Sequence, residues 1–203
     1  MNHLSNIEPA GRLVLESVRT PKRSPDRRTQ RTRQALMSAF IELLFTRGYE
    51  ALSAREIARQ ANVGRSTFYL HYASKDELLK ESLHTPSRAL AACVGGKLTP
   101  DQLMRLLDHF REQRALNRIF FSDPIRSLWV KCVAGLIEPY LVRQHPQGMR
   151  PRAPRSLVAL MIAEMQVALI THWVMRRVSI KSDVIAAALM ANTQAMLSAV
   201  EPV

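Results

Sequence analysis

The apolar residues of this chain recur at helical intervals wherever they recur at all, and no segment alternates apolar and polar residues as a half-buried strand does. That restriction leaves an all-α architecture. From about Asp26, the residues Leu36, Phe40, Leu43 and Leu44 fall on one stripe that ends at Gly48, a residue suited to the left-handed turn beyond a helix. Ser53 stands three residues before Glu56, the spacing at which each side chain satisfies a backbone N–H near the other. Leu52 and Ile57 flank that box at the positions of a hydrophobic staple. A short helix follows, and Ala61-Asn62-Val63-Gly64 makes a tight turn in which Asn62 takes a positive φ, as glycine would. A second short helix runs from about Arg65 to His71.

Further along, Ser74 with Glu77 repeats the capping box and opens a helix through about His84, which Pro86 interrupts. Thr99-Pro100-Asp101-Gln102 combines an N-cap, a first-turn proline and a capping glutamine, and starts a helix to about Leu116. Asp123-Pro124 starts another, to about Val142. Arg150 to Pro154 reads as a basic, proline-containing loop, and the last two helices span Arg155–Arg177 and Ser182–Val200. Residues 1–27, punctuated by Pro9, Gly11, Pro21 and Pro25, read as a flexible basic leader.

Composition narrows the partners. An apolar fraction of 47% against 23% charged residues excludes disorder of the whole chain. The formal charge of +12 favours polyanions, nucleic acid ahead of an acidic membrane surface. The excess is not confined to one half; only residues 19–33 are locally extreme, with Arg19, Lys22, Arg23, Arg27, Arg28, Arg31 and Arg33 against Asp26. Cys93 and Cys132 form no framework, which suits a reducing compartment. The longest apolar stretch, Leu157 to Ile170, contains Glu164 and Gln166 and is shorter than the roughly 20 residues of a membrane span. Without a signal peptide either, the expected location is the cytoplasm. The histidines at 3, 71, 84, 109, 145 and 172 show no metal-ligand spacing, and neither a phosphate loop nor a serine-nucleophile motif is present. The expectation is a chain that is not an enzyme and holds no cofactor or metal.

Two short helices joined by a tight turn behind a longer one have the layout of a helix-turn-helix, whose second helix lies in the major groove. The segment Gly64-Arg65-Ser66-Thr67-Phe68-Tyr69-Leu70-His71-Tyr72-Ala73-Ser74-Lys75-Asp76-Glu77-Leu78 resembles the recognition helix and following helix start of the TetR family. Phe45, Gly48, Tyr49, Ile57, Ala58, Ala61 and Val63 match that family's pattern in order and spacing, so the resemblance covers about residues 30–80. The chain departs from it at Asn62 and Ser66, where members usually carry glycine, and at Gly64, where they carry serine or threonine. The resemblance implies a helix-turn-helix DNA-binding domain over residues 28–74 and a helical effector-binding and dimerisation domain over 75–203.

On the recognition helix, Phe68 and Tyr72 lie four apart and face the core, with the Tyr72 hydroxyl reaching out. Arg65, Ser66 and Tyr69 share the opposite face. Arg65 either reads the O6/N7 edge of guanine or neutralises a phosphate. Thr67, Tyr69 and His71 suit phosphate or mixed contacts, His71 having a solvated surface role as its alternative. Ser53 and Lys75 sit at helix N-termini that face the DNA backbone. The basic run 19–33 is either an arm along the DNA or a solvated tail.

In the last helix Val184, Ile185, Ala188, Leu189, Asn192, Ala195, Met196 and Ala199 form a broad stripe, and the helix before it is apolar nearly all round. The resemblance implies that these two helices pair with their copies in a homodimer, placing two half-sites about 34–36 Å apart on double-stranded DNA. It also implies an effector pocket, for which Met104, Leu107, Phe110, Trp129, Met165 and Trp173 are candidate lining residues and Glu164 and His172 candidate polar anchors. Plain core packing is the competing account of the apolar ones. The implied function is a repressor released from a palindromic operator by a small molecule. A ligand-independent chromosome-organising protein on the same scaffold is the alternative.

Overall fold

The computed structural model describes residues 27–112, 118–144, 153–175 and 179–200, and among these every regular element is helical. The helices are α1 (Arg27–Arg47), α2 (Ala54–Gln60), α3 (Arg65–His71), α4 (Lys75–Val94), α5 (Pro100–Glu112), α6 (Ile125–Gln144), α7 (Arg155–Met175) and α8 (Ser182–Val200). Residues 1–26 of the expected leader and the continuation of α5 toward Leu116 lie outside the described residues, while Arg27, assigned to the leader, opens α1 instead. Contacts divide the chain into two compact units, up to Ser82 and from Leu83, with the division inside α4.

In the first unit, Leu36, Ala39, Phe40, Leu43 and Leu44 are the buried face of α1. Gly48 closes that helix at φ +76°, its N–H bonded to the Leu44 carbonyl at 3.0 Å. The α2–α3 turn depends on Asn62 in the left-handed region, at φ 53°. Around it the Val63 N–H reaches the Ala58 carbonyl at 2.9 Å and the Asn62 N–H the Arg59 carbonyl at 3.1 Å. This is the Schellman pairing that satisfies the last carbonyls of a helix, so a short polar side chain does here what glycine commonly does. α1 packs on α2, and α2 on α3.

α4 corrects one expectation. Pro86 does not interrupt it; the helix runs unbroken from Lys75 to Val94. Proline removes one backbone hydrogen bond and crowds the carbonyl four residues back, at a cost of about 3 kcal/mol. Leu78, Leu79 and Leu83 before it, and Ser87, Leu90, Ala91 and Val94 after it, are buried. Packing on both sides of the proline outweighs the local penalty. The helix ends instead at Gly96, at φ +63°, and the Lys97 N–H bonds back to the Ala92 carbonyl. Thr99 and Gln102 then form the expected reciprocal cap of α5.

In the second unit α6 lies along α7, and α8 packs on both α5 and α7. Trp129, Val130, Val133, Ile137 and Leu141 of α6 are buried, as are Val158, Ala159, Ile162, Ala163, Val167 and Ile170 of α7. α7 corrects the reading of its apolar stretch as too short for a span: the helix Arg155–Met175 is long and apolar enough by length and composition to cross a membrane, with half of the window that passes buried inside the protein. Fully buried Gln166 donates to the Leu90 carbonyl at 3.2 Å and to Thr193 Oγ1 at 3.0 Å, joining α4, α7 and α8 through one amide.

Candidate nucleic-acid interface

Local chemistry positions the two short helices. Ser53 Oγ accepts the Glu56 N–H at 3.2 Å, and the Glu56 carboxylate accepts the Ser53 N–H at 3.1 Å. The Ser53 hydroxyl also donates to that carboxylate at 2.8 Å, and Arg47 pairs with it at 2.8 Å. The Ser53 hydroxyl, together with the neighbouring arginines, holds the Glu56 carboxyl below the usual carboxylate range. The second box is displaced by one residue: Ser74 Oγ accepts the Asp76 N–H, while the Glu77 carboxylate accepts the N–H of Ala73.

α3 is pinned by its inner face. Phe68 is fully buried and Tyr72 nearly so, their rings 6.1 Å apart. The Tyr72 hydroxyl is enclosed rather than reaching out, a correction to the sequence reading. Burial, then the charge of Glu81, pushes its pKa above the ordinary phenol value. Opposite this anchor, Arg65, Ser66, Tyr69 and Leu70 are exposed, while Thr67 and His71 sit half-buried at the flanks. The Arg65 guanidinium lies 5.6 Å from the Tyr69 ring centroid, and the Phe68 and Tyr69 rings meet edge-on at 5.3 Å. The arrangement presents a cation, hydroxyls and an aromatic edge on one strip. α2 adds Arg55 and Arg59, both exposed.

Three side chains have roles that spacing does not reveal. Lys75 Nζ donates to the carbonyls of Tyr49 and Leu52, each at 3.0 Å, and lies 4.4 Å from the Tyr49 ring centroid. The Tyr49 hydroxyl donates to Asp76. The loop before α2 is thereby tied to the start of α4, and the Lys75 ammonium is engaged inside the unit. Arg33, grouped by sequence with the basic arm, stacks 4.7 Å from the Tyr72 ring centroid, pairs with Glu81 and donates to the His71 carbonyl at 3.4 Å. It clamps the end of α3 to α1 and α4. Leu70, passed over in the sequence reading, is the most exposed large apolar residue among the described residues, at 83%.

The residues suggested for an effector site separate. Phe110 and Trp129 come together, ring centroids 5.7 Å apart, with Phe121 completing the cluster at 5.6 and 5.5 Å from them. The Trp129 indole N–H is buried there without a hydrogen-bond partner among the described residues. Leu107 is fully buried, and Met104 and Met165 are half-buried. Trp173 is buried with its indole N–H on the Ile180 carbonyl at 2.9 Å. Glu164 and His172, suggested as interior polar anchors, are exposed, and Glu164 pairs with Arg126 at 2.7 Å. On a helix with two packed faces, the charged residues fall on the remaining one.

The sequence profile of bacterial regulatory proteins of the tetR family matches residues 36–82, from the buried stripe of α1 into α4. The uncharacterized HTH-type transcriptional regulator YxbF of Bacillus subtilis (strain 168) is 43% identical over 63 residues, which are 30% of this chain but only 17% of that protein. A TetR transcriptional regulator from Streptococcus agalactiae 2603V is 25% identical with a TM-score of 0.56, over 83% of this chain and 96% of that one. Thermus thermophilus FadR, a TetR-family transcriptional repressor in complex with lauroyl-CoA, shares the fold with a TM-score of 0.50 at 20% identity, over 80% of this chain and 93% of that one. Residues 36–82 thus carry the helix-turn-helix of bacterial regulatory proteins of the tetR family, and together with a helical fold shared over 83% of the chain this supports a TetR-family regulator.

Proposed function

We propose that the protein is a cytoplasmic, homodimeric transcriptional repressor that binds a palindromic operator in double-stranded DNA and leaves it when a small molecule binds the second unit. The observation that carries this reading is the outer strip of α3, where Arg65, Ser66 and Tyr69 stand exposed on a helix anchored by Phe68 and Tyr72. Major-groove readout needs polar side chains projecting from a helix whose own position does not yield. Thr67 and His71 at its flanks, and Ser53 and Lys75 at the starts of α2 and α4, lie at positions suited to the phosphates, Lys75 through its charge rather than a free ammonium.

Dimerisation is supported by what α7 and α8 leave uncovered. Leu157, Leu160, Met161 and Met175 of α7, and Val184 with Ala187, Ala191 and Ala195 of α8, are exposed. Ile185, Leu189, Thr193 and Leu197 occupy the inner face of α8. Of the stripe expected on α8, Ile185 and Leu189 are buried while Val184, Asn192, Ala195 and Ala199 are exposed, and the small residues among the exposed ones, with Ala187 and Ala191 beside them, admit close approach of another helix. The effector reading draws on the Phe110–Phe121–Trp129 cluster, an apolar site with one indole donor to orient a ligand. A repressor of this fold in complex with lauroyl-CoA gives a precedent for a ligand. The ligand acts by preferring a conformation whose half-site spacing mismatches the operator, and the shift is no larger than that difference in affinity.

The test is a map of genomic DNA bound by the purified protein at moderate salt, with Tyr69→Ala beside it. One or a few palindromic sites, lost in the variant, are expected. Scores of dispersed sites would replace the repressor with a chromosome-organising protein, and no sequence-specific binding would end the DNA-binding reading.

A further inference from the structure

Leu70 is an anomaly in α3 that the roles of its neighbours do not absorb. Counting about 100° per residue, Ser66 and Leu70, two residues to either side of buried Phe68, each lie about 20° from the direction opposite the core. They form the outermost ridge of the helix. Ser66 is small, and a helical side chain leans toward the N-terminus, so Leu70 extends over the turn that Ser66 begins. Tyr69, 47% exposed, stands beside it. The most exposed large apolar group on this strip is thus an aliphatic one without donor or acceptor.

Among the groups that base edges present in the major groove, one is apolar: the C5-methyl of thymine. An amine or carbonyl edge loses water against leucine without gaining a hydrogen bond, whereas a methyl gains apolar burial. We propose that Leu70 is a specificity-determining residue that reads a thymine methyl at the centre of each operator half-site. The inference rests on α3 being the recognition helix and adds what its most exposed large apolar residue recognises.

The test uses the full-length protein and a pool of random duplexes to select its preferred site, then replaces each thymine of that site in turn by deoxyuridine, which lacks only the methyl. Burying one methyl contributes about 0.8 kcal/mol, or about fourfold in affinity. Replacement at one thymine of a half-site is therefore expected to weaken binding about fourfold, and at both symmetric positions about fifteenfold. Leu70→Ala is expected to bind the thymine site more weakly by a similar factor and to be indifferent to deoxyuridine there, while Leu70→Met keeps the sensitivity. Because Leu70 is exposed, both variants are expected to melt with the wild type. Wild-type binding unchanged by deoxyuridine at every position overturns the proposal. So does a Leu70→Ala variant that remains as sensitive as wild type, since another residue then reads the methyl. A pool from which the wild type selects no sequence overturns the recognition-helix reading itself, and this inference with it.

Discussion

Arg33 offers the sharpest test of how the first unit is built, because its charge suggests one role and its surroundings another. By sequence it ends a basic run suited to DNA phosphates; in the fold it covers Tyr72, pairs with Glu81 and holds the His71 carbonyl. Arg33→Gln removes all three contacts and leaves the helix intact. The ion pair has side chains 39% and 42% exposed, so its loss costs about 0.2–1 kcal/mol. Stacking of the guanidinium on the Tyr72 ring adds about 0.5–1 kcal/mol, and the 3.4 Å bond to the His71 carbonyl is too long to add much. The expected loss is about 1–2 kcal/mol, a fall in Tm of roughly 2–8 °C for a chain of this size. Operator binding should weaken as the end of α3 loosens, but the dependence of log K on log salt should keep its slope, because no phosphate contact has been removed. A residue that neutralises one phosphate changes that slope by about 0.9. Glu81→Gln should reproduce part of the thermal loss, and the double variant should lose less than the two single variants added together. The reasoning fails if Arg33→Gln melts with the wild type and its salt slope drops by about one unit.

Two further outcomes follow from the packing. A Cβ on Gly95 would stand 2.7 and 2.8 Å from two ring carbons of Tyr140, so Gly95→Ala must displace that ring. Thermal melts should show a net loss of about 1–2 kcal/mol, overpacking less the entropy gained by removing a glycine, and Tyr140→Leu should recover much of it; a variant as stable as wild type would refute the contact. The second outcome concerns pH. Burial foremost, and then the hydrogen bond to Asp76, raises the pKa of Tyr49 above the ordinary phenol value, and Tyr72 is raised likewise. The folded protein holds these protons more tightly than the unfolded chain, so the stabilisation is complete below about pH 10 and is lost as pH rises beyond it. Urea midpoints should fall between pH 9 and pH 11 and fall less in Tyr49→Phe; equal midpoints at the two pH values would contradict the linkage.

Much of the local architecture could be read directly from the chain. The caps at Ser53–Glu56 and Thr99–Gln102, the left-handed Asn62, the extent of α3 and the bounds of α8 each depend on residues within a few positions of one another. Interactions that close over three or four residues leave their signature in spacing, because the helix brings those residues together whatever else the fold does. The same logic identified Phe68 and Tyr72 as the inner face of α3 and so placed Arg65, Ser66 and Tyr69 outside.

Tertiary structure decided the rest. A local rule breaks α4 at Pro86, yet buried leucines on either side keep it whole. Glu164 reads as an interior polar group until Arg126, 38 positions away, meets it at the surface. Gln166 is placed by the Leu90 carbonyl and by Thr193, at separations of 76 and 27 residues. The ties of Lys75 to the Tyr49 and Leu52 carbonyls, and of Arg33 to the Tyr72 ring and Glu81, show only once distant segments are brought to them. The exposure of Leu70 shows only once the helices around α3 cover Phe68 and leave its opposite ridge bare. Sequence thus determined where helices begin, turn and end, since those energies are local; which polar group faces which, and which apolar group faces nothing, followed from contacts between segments whose separation along the chain carries no record of their meeting.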